Sequence, residues 1–165
     1  MVKGLLLICP LAKHETQFQN APEFCVLEKD DSLNEILSDE EKSYFETVTV
    51  MQTKKVWMRF KEEVLPGLKI ADYDYINNNW GKQVPYTFDV DRLEHPFEKP
   101  ALILTGKQDS MVGYSDSWGF LKNYSRASFV VLDNAGHCLQ MEQPEQFNCL
   151  AKEWLERVIN SEKSQ

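Results

Sequence analysis

Three short runs of apolar residues along the chain predict buried β-strands. They span residues 2–10, 100–106 and 128–132, and each is bounded by proline, glycine or polar residues. Continuous apolar runs of this length are typical of strands buried on both faces of a parallel sheet. Such a strand needs partners on both edges and both faces, so the run at residues 2–10 is an unusual first strand for a complete domain.

Helical periodicity accompanies the second and third runs. Residues 113–124 carry apolar side chains at helical spacing between the two strands. Residues 144–159 form a strongly amphipathic helix, with Phe147, Leu150, Ala151, Trp154, Leu155 and Val158 on one face. The order strand, helix, strand, helix predicts an α/β fold with a short parallel sheet of about three strands, flanked by helices and joined by right-handed crossovers.

The stretch between the first two strands has a different character. It is polar and irregular to about residue 31, and then becomes rich in aromatic residues and methionine at helical spacing. Ser32 and Glu35 predict a capping box at the start of its first helix, and Pro66-Gly67 is expected to end its third. Helices are predicted at residues 32–37, 38–48, 53–64 and 72–79.

The chain of 165 residues fits one or two small domains. Residues 1–10 and 92–165 are predicted to form the sheet-containing part, and residues 11–91 a helical insertion between its first two strands. Apolar residues make up 42% of the chain, which is enough for a packed core.

The charge of the chain argues against two classes of partner. The formal net charge is −8, whereas nucleic acids and anionic membrane surfaces are bound by clustered lysine and arginine. The longest apolar run near the start, Leu5 to Cys9, is too short for a transmembrane helix and lacks the features of a signal peptide. We therefore expect neither a nucleic-acid partner nor a membrane partner.

Cysteine and histidine usage predicts neither disulfides nor a metal site. The four cysteines form no CxxC pair and show no regular spacing, which favours reduced thiols and a cytoplasmic location. His14-Glu15 and His95 have no third ligand at the spacing that metal sites use. We expect no metal and no cofactor.

Two segments that lead from a strand into a turn carry the candidate chemistry. One predicted strand continues through Gly106-Lys107-Gln108 to Asp109, and the next continues through Asp133-Asn134-Ala135-Gly136 to His137. In a parallel sheet both side chains emerge beyond the carboxyl ends of neighbouring strands, where open α/β sheets place their sites. An acid beside a histidine fixes the tautomer of the ring and lets it act as a general base. Asp109 and His137 are therefore the predicted catalytic pair.

These segments resemble the end of an α/β-hydrolase. The pattern strand–GxxD, then strand–xxGH, then a helix that starts with Glu-Gln-Pro-Glu, is similar to the last strands and helices of that superfamily over about residues 100–158. The resemblance implies that Asp109 is the triad acid and His137 the triad base. It also implies that residues 11–91 are the cap and that an ester or other acyl-type bond of a small molecule is hydrolysed.

The nucleophile that the resemblance calls for is absent from this sequence. In the superfamily a serine on a GxSxG elbow precedes the acid along the chain, and no GxSxG occurs here. The strand at residues 2–10 is similar to the one that follows the nucleophile helix. We therefore expect the C-terminal part of a serine-type hydrolase, which supplies the acid and the histidine and is inactive by itself.

Neighbouring residues offer weaker candidates for the same site. Asp133 lies too close to His137 along the chain to sit on the adjacent strand, so it is assigned to the turn. Cys138 is expected to be a buried thiol, because sequence neighbours in an extended segment point apart. Ser110 follows the acid but lacks the glycines of a nucleophile elbow.

The helical insertion supplies the candidate substrate-binding residues. Trp57, Phe60 and Trp80 are predicted to line a pocket beneath the cap, although aromatic residues at helical spacing also form ordinary core. The acid–histidine ending does not distinguish ester hydrolysis from the cleavage of carbon–carbon or carbon–halogen bonds.

Two other interpretations of the chain stay open. A non-catalytic α/β module could form a homo-oligomer through the strand at residues 2–10, because unpaired strand edges recruit other chains. A flavodoxin-like or nucleotide-binding fold is disfavoured, since neither GxGxxG nor GxxxxGK[ST] occurs.

Overall fold

A computed structural model describes residues 2–11, 20–79, 93–119 and 121–163, with residue 162 described by its backbone alone. The strands are β1 (Leu5–Ile8), β2 (Glu28–Lys29), β3 (Met51–Gln52), β4 (Ala101–Gly106) and β5 (Ala127–Leu132). The helices are α1 (Leu33–Ile36), α2 (Asp39–Phe45), α3 (Lys54–Glu63), α4 (Leu65–Ile70), α5 (Tyr73–Asn79), α6 (Tyr114–Trp118), α7 (Leu139–Glu142) and α8 (Pro144–Lys163). A 3₁₀ turn covers Leu121–Asn123.

The three predicted strands form one parallel sheet in the order β1-β4-β5. Leu5 is paired with Ala101 on one side of β4, and Ala101 is paired with Ala127 on the other. All six residues of β4 are buried, as expected for a central strand. The predicted short parallel sheet flanked by helices is therefore confirmed.

The first strand is less buried than its apolar sequence predicts. Leu5, Leu6 and Leu7 are half-buried, and Ile8 is 38% exposed. The reason is its position, because β1 pairs with β4 alone among the described residues. An edge strand has one neighbour and correspondingly less cover than a central strand.

Alternate residues of β4 point to the two faces of the sheet. Leu102 and Leu104 pack with the side chains of α8, including Phe147 and Trp154. Ile103 points to the opposite face, where it packs with partly buried apolar residues that include Leu7, Leu121 and Phe129. Part of the predicted apolar stripe of α8 therefore covers one face of the sheet, whereas Leu155 of the same stripe is 49% exposed.

Residues 20–79, here called the intervening segment, are mostly helical and have a core of their own. Phe45 packs edge-on against both Trp57 and Phe60, with ring centroids 5.3 Å apart in each pair. The same core includes Cys138 and Met141, which follow β5 along the chain. The intervening segment therefore packs on the stretch that comes directly after the second predicted site strand.

The predicted capping box at Ser32 and Glu35 is wrong. Ser32 has helical backbone angles (φ −62°, ψ −20°), and its hydroxyl donates to Asp30 instead of capping α1. The capping box forms one helix later, where Ser38 is extended (φ −67°, ψ 162°) and exchanges hydrogen bonds with Glu41. An N-cap residue needs the extended conformation, which Ser38 has and Ser32 lacks.

The helix predicted at residues 53–64 is confirmed as α3, which ends at Glu63 before Pro66 and Gly67. The sequence did not predict the short helix α4 (Leu65–Ile70), which contains both of these residues. Proline is tolerated in the first turn of a helix, where its missing N–H would have no partner in any case. The helix predicted at residues 113–124 is reduced to α6 and the 3₁₀ turn. None of the helices in the described ranges is long and apolar enough to cross a membrane.

Candidate active site

Asp109 lies on the loop that follows β4, the central strand. The acid is 1% exposed, and its Oδ1 accepts hydrogen bonds from the amides of Met111 at 2.8 Å and Val112 at 3.0 Å. These bonds fix one carboxylate oxygen against the backbone and leave Oδ2 for another partner. The sequence places the acid here because β4 ends at Gly106, three residues earlier.

His137 lies on the loop that follows β5, the neighbouring strand. This loop turns at Asn134, which has a φ of 53°, and asparagine is among the residues that tolerate this left-handed conformation best. Gly136 comes next to His137, and α7 begins at Leu139. The turn brings the imidazole back toward the end of β4.

Hydrogen bonds join the two loops directly. The Lys107 amide donates to the Leu132 carbonyl at 2.8 Å, and the Gln108 amide donates to the Ala135 carbonyl at 2.9 Å. The Gln108 side chain donates to Asp133 at 2.8 Å and accepts from the Ala135 amide at 3.2 Å. The relative positions of the two loops are therefore fixed by contacts that do not involve the acid or the histidine.

Gly106, the last residue of β4, lies close to the backbone of the histidine loop. A Cβ atom at Gly106 would lie 2.3 Å from the Gly136 carbonyl oxygen and 2.5 Å from the Ala135 carbonyl oxygen. Both contacts are with backbone, so a side chain here requires one loop to move. At Gly67 in α4, the described residues outside its own helix turn place no atom within 4 Å of the corresponding Cβ position.

The same substitution is therefore expected to have opposite effects at these two glycines. Gly106→Ala should lower the free energy of unfolding by about 1–3 kcal/mol, since overpacking forces the backbone to shift. Gly67→Ala should raise it by about 0.5–1 kcal/mol, because alanine is the better helix former. Urea denaturation followed by circular dichroism measures both. Equal stability of the Gly106→Ala variant and the unmodified chain would contradict the close approach.

The carboxylate and the imidazole meet between these loops. His137 Nδ1 lies 3.0 Å from Asp109 Oδ2. Burial by itself raises the pKa of the Asp109 carboxyl, but the hydrogen bond and charge of His137, together with the amides of Val112 and Met111, outweigh it and hold that pKa below its usual value. The acid is therefore ionised at neutral pH.

An ionised carboxylate can only accept a hydrogen bond, so Nδ1 of His137 must carry the proton. In the neutral ring this leaves Nε2 with the lone pair, which is the form that a general base requires. The His137 side chain is 36% exposed, whereas that of Asp109 is 1% exposed. The proximity of the two groups expected from the sequence is present, with the acid buried and the histidine accessible.

Cys9 is a member of this cluster that sequence reasoning did not identify. It follows β1 with a φ of 42°, is buried, and its thiol donates weakly to the Gly136 carbonyl at 3.8 Å. Cys9, Asp109 and His137 offer ligand atoms that all lie within 4.8 Å of one another. The only available signal was its position at the end of the strand next to β4.

Thiolate, carboxylate and imidazole are ligands that zinc accepts. Here burial, followed by the charge of Asp109, raises the pKa of the Cys9 thiol far above its usual value. Metal binding would have to remove this proton. The arrangement therefore favours an acid–histidine pair with a protonated thiol beside it.

The weaker candidates lie outside the pair. Asp133 is exposed and bonded to Gln108, with Lys107 at 3.7 Å, which places it in the turn. Cys138 is buried, and burial raises the pKa of its thiol to about 12, so it is protonated at neutral pH. His95 is exposed, and His14 and Glu15 lie outside the described residues.

Two of the three predicted substrate-binding residues, Trp57 and Phe60, lie in the described part of the chain. Trp57 is 1% exposed and Phe60 is 0% exposed, and both lie in the core of the intervening segment. This packing favours the alternative that they are ordinary core residues. Trp80 lies outside the described residues, so its role stays a prediction.

Comparison with known proteins identifies the fold. No protein-family profile matches the chain, and no curated protein sequence matches it. Among solved structures, an alpha/beta superfamily hydrolase from Oenococcus oeni PSU-1 is 22% identical, with a TM-score of 0.77 over 94% of this chain and 57% of that protein. A thermophilic esterase is 17% identical, with a TM-score of 0.53 over 94% of this chain and 56% of that protein.

A membrane phospholipase A, described as a bacterial virulence factor, is 18% identical, with a TM-score of 0.52 over 96% of this chain and 50% of that protein. The chain thus spans between 50% and 57% of the length of these three proteins. It has the α/β-hydrolase fold over the part that it covers, which confirms the fold expected from the sequence.

Proposed function

We propose that this chain supplies the acid and the histidine of a serine-type α/β-hydrolase site. The observation that carries the proposal is the contact of 3.0 Å between His137 Nδ1 and Asp109 Oδ2 at the ends of adjacent parallel strands. The nucleophilic serine belongs to a segment outside this sequence, since no GxSxG occurs within it. The chain by itself is inactive.

Each residue has a separate task in this mechanism. Asp109 keeps the proton on Nδ1 and stabilises the imidazolium that forms during the reaction. His137 takes the proton of the attacking serine on Nε2, and returns it to the leaving group in the following step. The bond that is hydrolysed is an ester or other acyl-type bond of a small molecule. The names of the esterase and the phospholipase that share the fold indicate the same class of bond.

The intervening segment serves as the cap of this site in our proposal. It packs on the stretch after β5 through Cys138 and Met141, close to His137 along the chain. Arg59 in α3 donates to the Gln140 carbonyl, and Lys55 forms an ion pair of 2.9 Å with Glu145. These contacts support a position beside the histidine loop, from which the segment can select substrates.

The proposal is tested by restoring the missing serine. The DNA upstream of the natural gene is searched for a segment that carries GxSxG, and that segment is produced together with this chain; the pair is called the assembled enzyme below. We expect it to hydrolyse short-chain p-nitrophenyl esters and to react with a fluorophosphonate probe at the serine. His137→Ala should abolish both activities.

His95→Ala is the matched control, because His95 is exposed and lies outside the site. It should leave hydrolysis and labelling unchanged. Hydrolysis that survives His137→Ala, or a gene without any GxSxG segment beside it, would contradict the proposal.

A second candidate function is self-association through the edge of β1. Among the described residues β1 bonds with β4 alone, so the main-chain groups on its other side have no strand beside them. The occupant in this proposal is β1 of a second copy, which would form a symmetric dimer. Light scattering at high concentration distinguishes this function, since a monomer at all concentrations would contradict it.

A further inference from the structure

Glu142 is a buried carboxylate that the proposed mechanism does not use. It is the last residue of α7 and is 7% exposed. Burial raises the pKa of its carboxyl above the usual value, against the lowering effect of three amide hydrogen bonds. A buried carboxylate is costly to desolvate, and its hydrogen bonds to backbone amides offset part of that cost.

The two oxygens of Glu142 hold two separate parts of the chain. Oε2 accepts from the amide of Gly136 at 2.6 Å, and Gly136 directly precedes His137. Oε1 accepts from the amide of Val50 at 2.7 Å and from that of Met51 at 3.4 Å, both in the intervening segment. One carboxylate therefore bridges the histidine loop and the intervening segment.

There is little space between Gly136 and the intervening segment. A Cβ atom at Gly136 would lie 3.0 Å from Val50 Cγ1 and 3.6 Å from the Val48 carbonyl oxygen. The loop has little room to move toward the intervening segment, and the hydrogen bonds of Glu142 keep it from moving away. A movement of the histidine loop is therefore expected to move the intervening segment near Val50 as well, and the reverse.

We propose that Glu142 is a positioning residue for His137. By holding the Gly136 amide it fixes the approach of the imidazole to Asp109, and by holding the Val50 amide it makes that approach depend on the intervening segment. Only the catalytic consequence of this inference rests on the proposed function. The geometric part concerns this chain alone.

Replacing Glu142 with glutamine tests the role of its two acceptor oxygens. Both oxygens of a carboxylate accept hydrogen bonds, whereas the carboxamide of glutamine has one acceptor and one donor in the same shape. In Glu142→Gln the NH2 group of the carboxamide therefore faces a backbone N–H at one of the two contacts. Two donors then meet, and that hydrogen bond is lost. The substitution also removes a buried charge, so the positioning effect and the stability of the fold need not change together.

The test measures the Nδ1 proton and the ring nitrogen shifts of His137 by NMR, in this chain alone. In the unmodified chain we expect a downfield resonance for the Nδ1 proton shared with Asp109, and ring nitrogen shifts of the Nδ1–H tautomer. In Glu142→Gln we expect loss of that resonance and nitrogen shifts close to those of the exposed His95. Circular dichroism establishes that the variant is folded.

Gln143→Ala is the matched control. Gln143 is the next residue and also reaches the histidine loop, since its half-buried side chain donates to the Asn134 carbonyl at 2.9 Å. It does not bond to Gly136 or to the intervening segment in the contacts described. This variant should keep the downfield resonance and the tautomer of the unmodified chain.

A folded Glu142→Gln variant with an unchanged His137 resonance and tautomer would overturn the inference, whatever its stability. If that variant does not fold, Glu142→Asp decides, because it keeps the charge but is one methylene too short to reach both backbones. Loss of the resonance in Glu142→Asp supports positioning, and its retention overturns it.

The assembled enzyme separates this inference from the proposed function. There Glu142→Gln should lower kcat by about 100-fold with little change in KM, as expected when a catalytic group is displaced by about 1 Å. If His137→Ala leaves turnover intact, the proposed function fails while the NMR result stands. If His137→Ala abolishes turnover but Glu142→Gln leaves the ring unchanged, the inference alone fails.

Discussion

Replacing Asp109 with asparagine is expected to lower kcat of the assembled enzyme by about 10³- to 10⁴-fold. The carboxamide has almost the same shape, but it can donate a hydrogen bond to Nδ1 and so favour the opposite tautomer of His137. The proton would then sit on Nε2, where the serine requires a lone pair. Steady-state kinetics with a p-nitrophenyl ester measures the loss, and KM should change little.

Asp133→Asn is the matched control for this prediction. Asp133 precedes His137 by four residues and is the rival acid in the sequence, but it is exposed and bonds to Gln108 and Lys107. We expect its replacement to change kcat by less than about threefold, because the position is exposed and asparagine keeps an oxygen that can accept the hydrogen bond from Gln108. A large loss from Asp133→Asn with none from Asp109→Asn would reassign the acid.

Phe60→Ala is expected to lower the free energy of unfolding by about 3–5 kcal/mol, the usual cost of removing a large aromatic side chain from a core. Phe60 is 0% exposed, and its ring contacts those of Phe45 and Trp57. The resulting cavity would lie at the centre of the intervening segment. Urea denaturation of the chain measures the loss directly.

Met58→Ala gives the contrast on the same helix. Met58 lies two residues before Phe60 in α3 and is 48% exposed. Its truncation should change stability by less than about 0.5 kcal/mol. If Phe60 instead binds substrate, Phe60→Ala would leave the stability unchanged and raise KM in the assembled enzyme. The two measurements therefore decide between the core and pocket interpretations of this residue.

The sheet could be predicted from the sequence because its strands are short apolar runs with clear ends. The run at residues 100–106 corresponds to β4 (Ala101–Gly106), which is buried along its whole length, and apolar residues of α8 cover one face of the sheet. The capping box could not be located, because Ser32 and Ser38 both have glutamate three residues later. Backbone conformation, which the sequence pattern does not specify, separates the two.

The acid–histidine pair could be located because each residue follows its strand within a few positions, so that sheet topology fixes both at once. Glu142 and Cys9 could not be found in this way. The partners of Glu142 include Val50, which lies 92 residues away along the chain, and no local pattern encodes that contact. Cys9 is a single cysteine after a strand, a pattern that carries no specific chemistry by itself.

The pairing of β1 with β4 joins residues that are far apart along the chain, with Leu5 opposite Ala101. Closing a loop becomes entropically costlier only slowly as the loop grows, by about 0.6 kcal/mol for each doubling of its length. Evolution can therefore lengthen, shorten or replace the segment between these strands with only a small change in the free energy of loop closure. The acid and the histidine proposed to transfer the proton follow β4 and β5 within one short, contiguous stretch, which can be inherited intact while the segment proposed to select substrates diversifies.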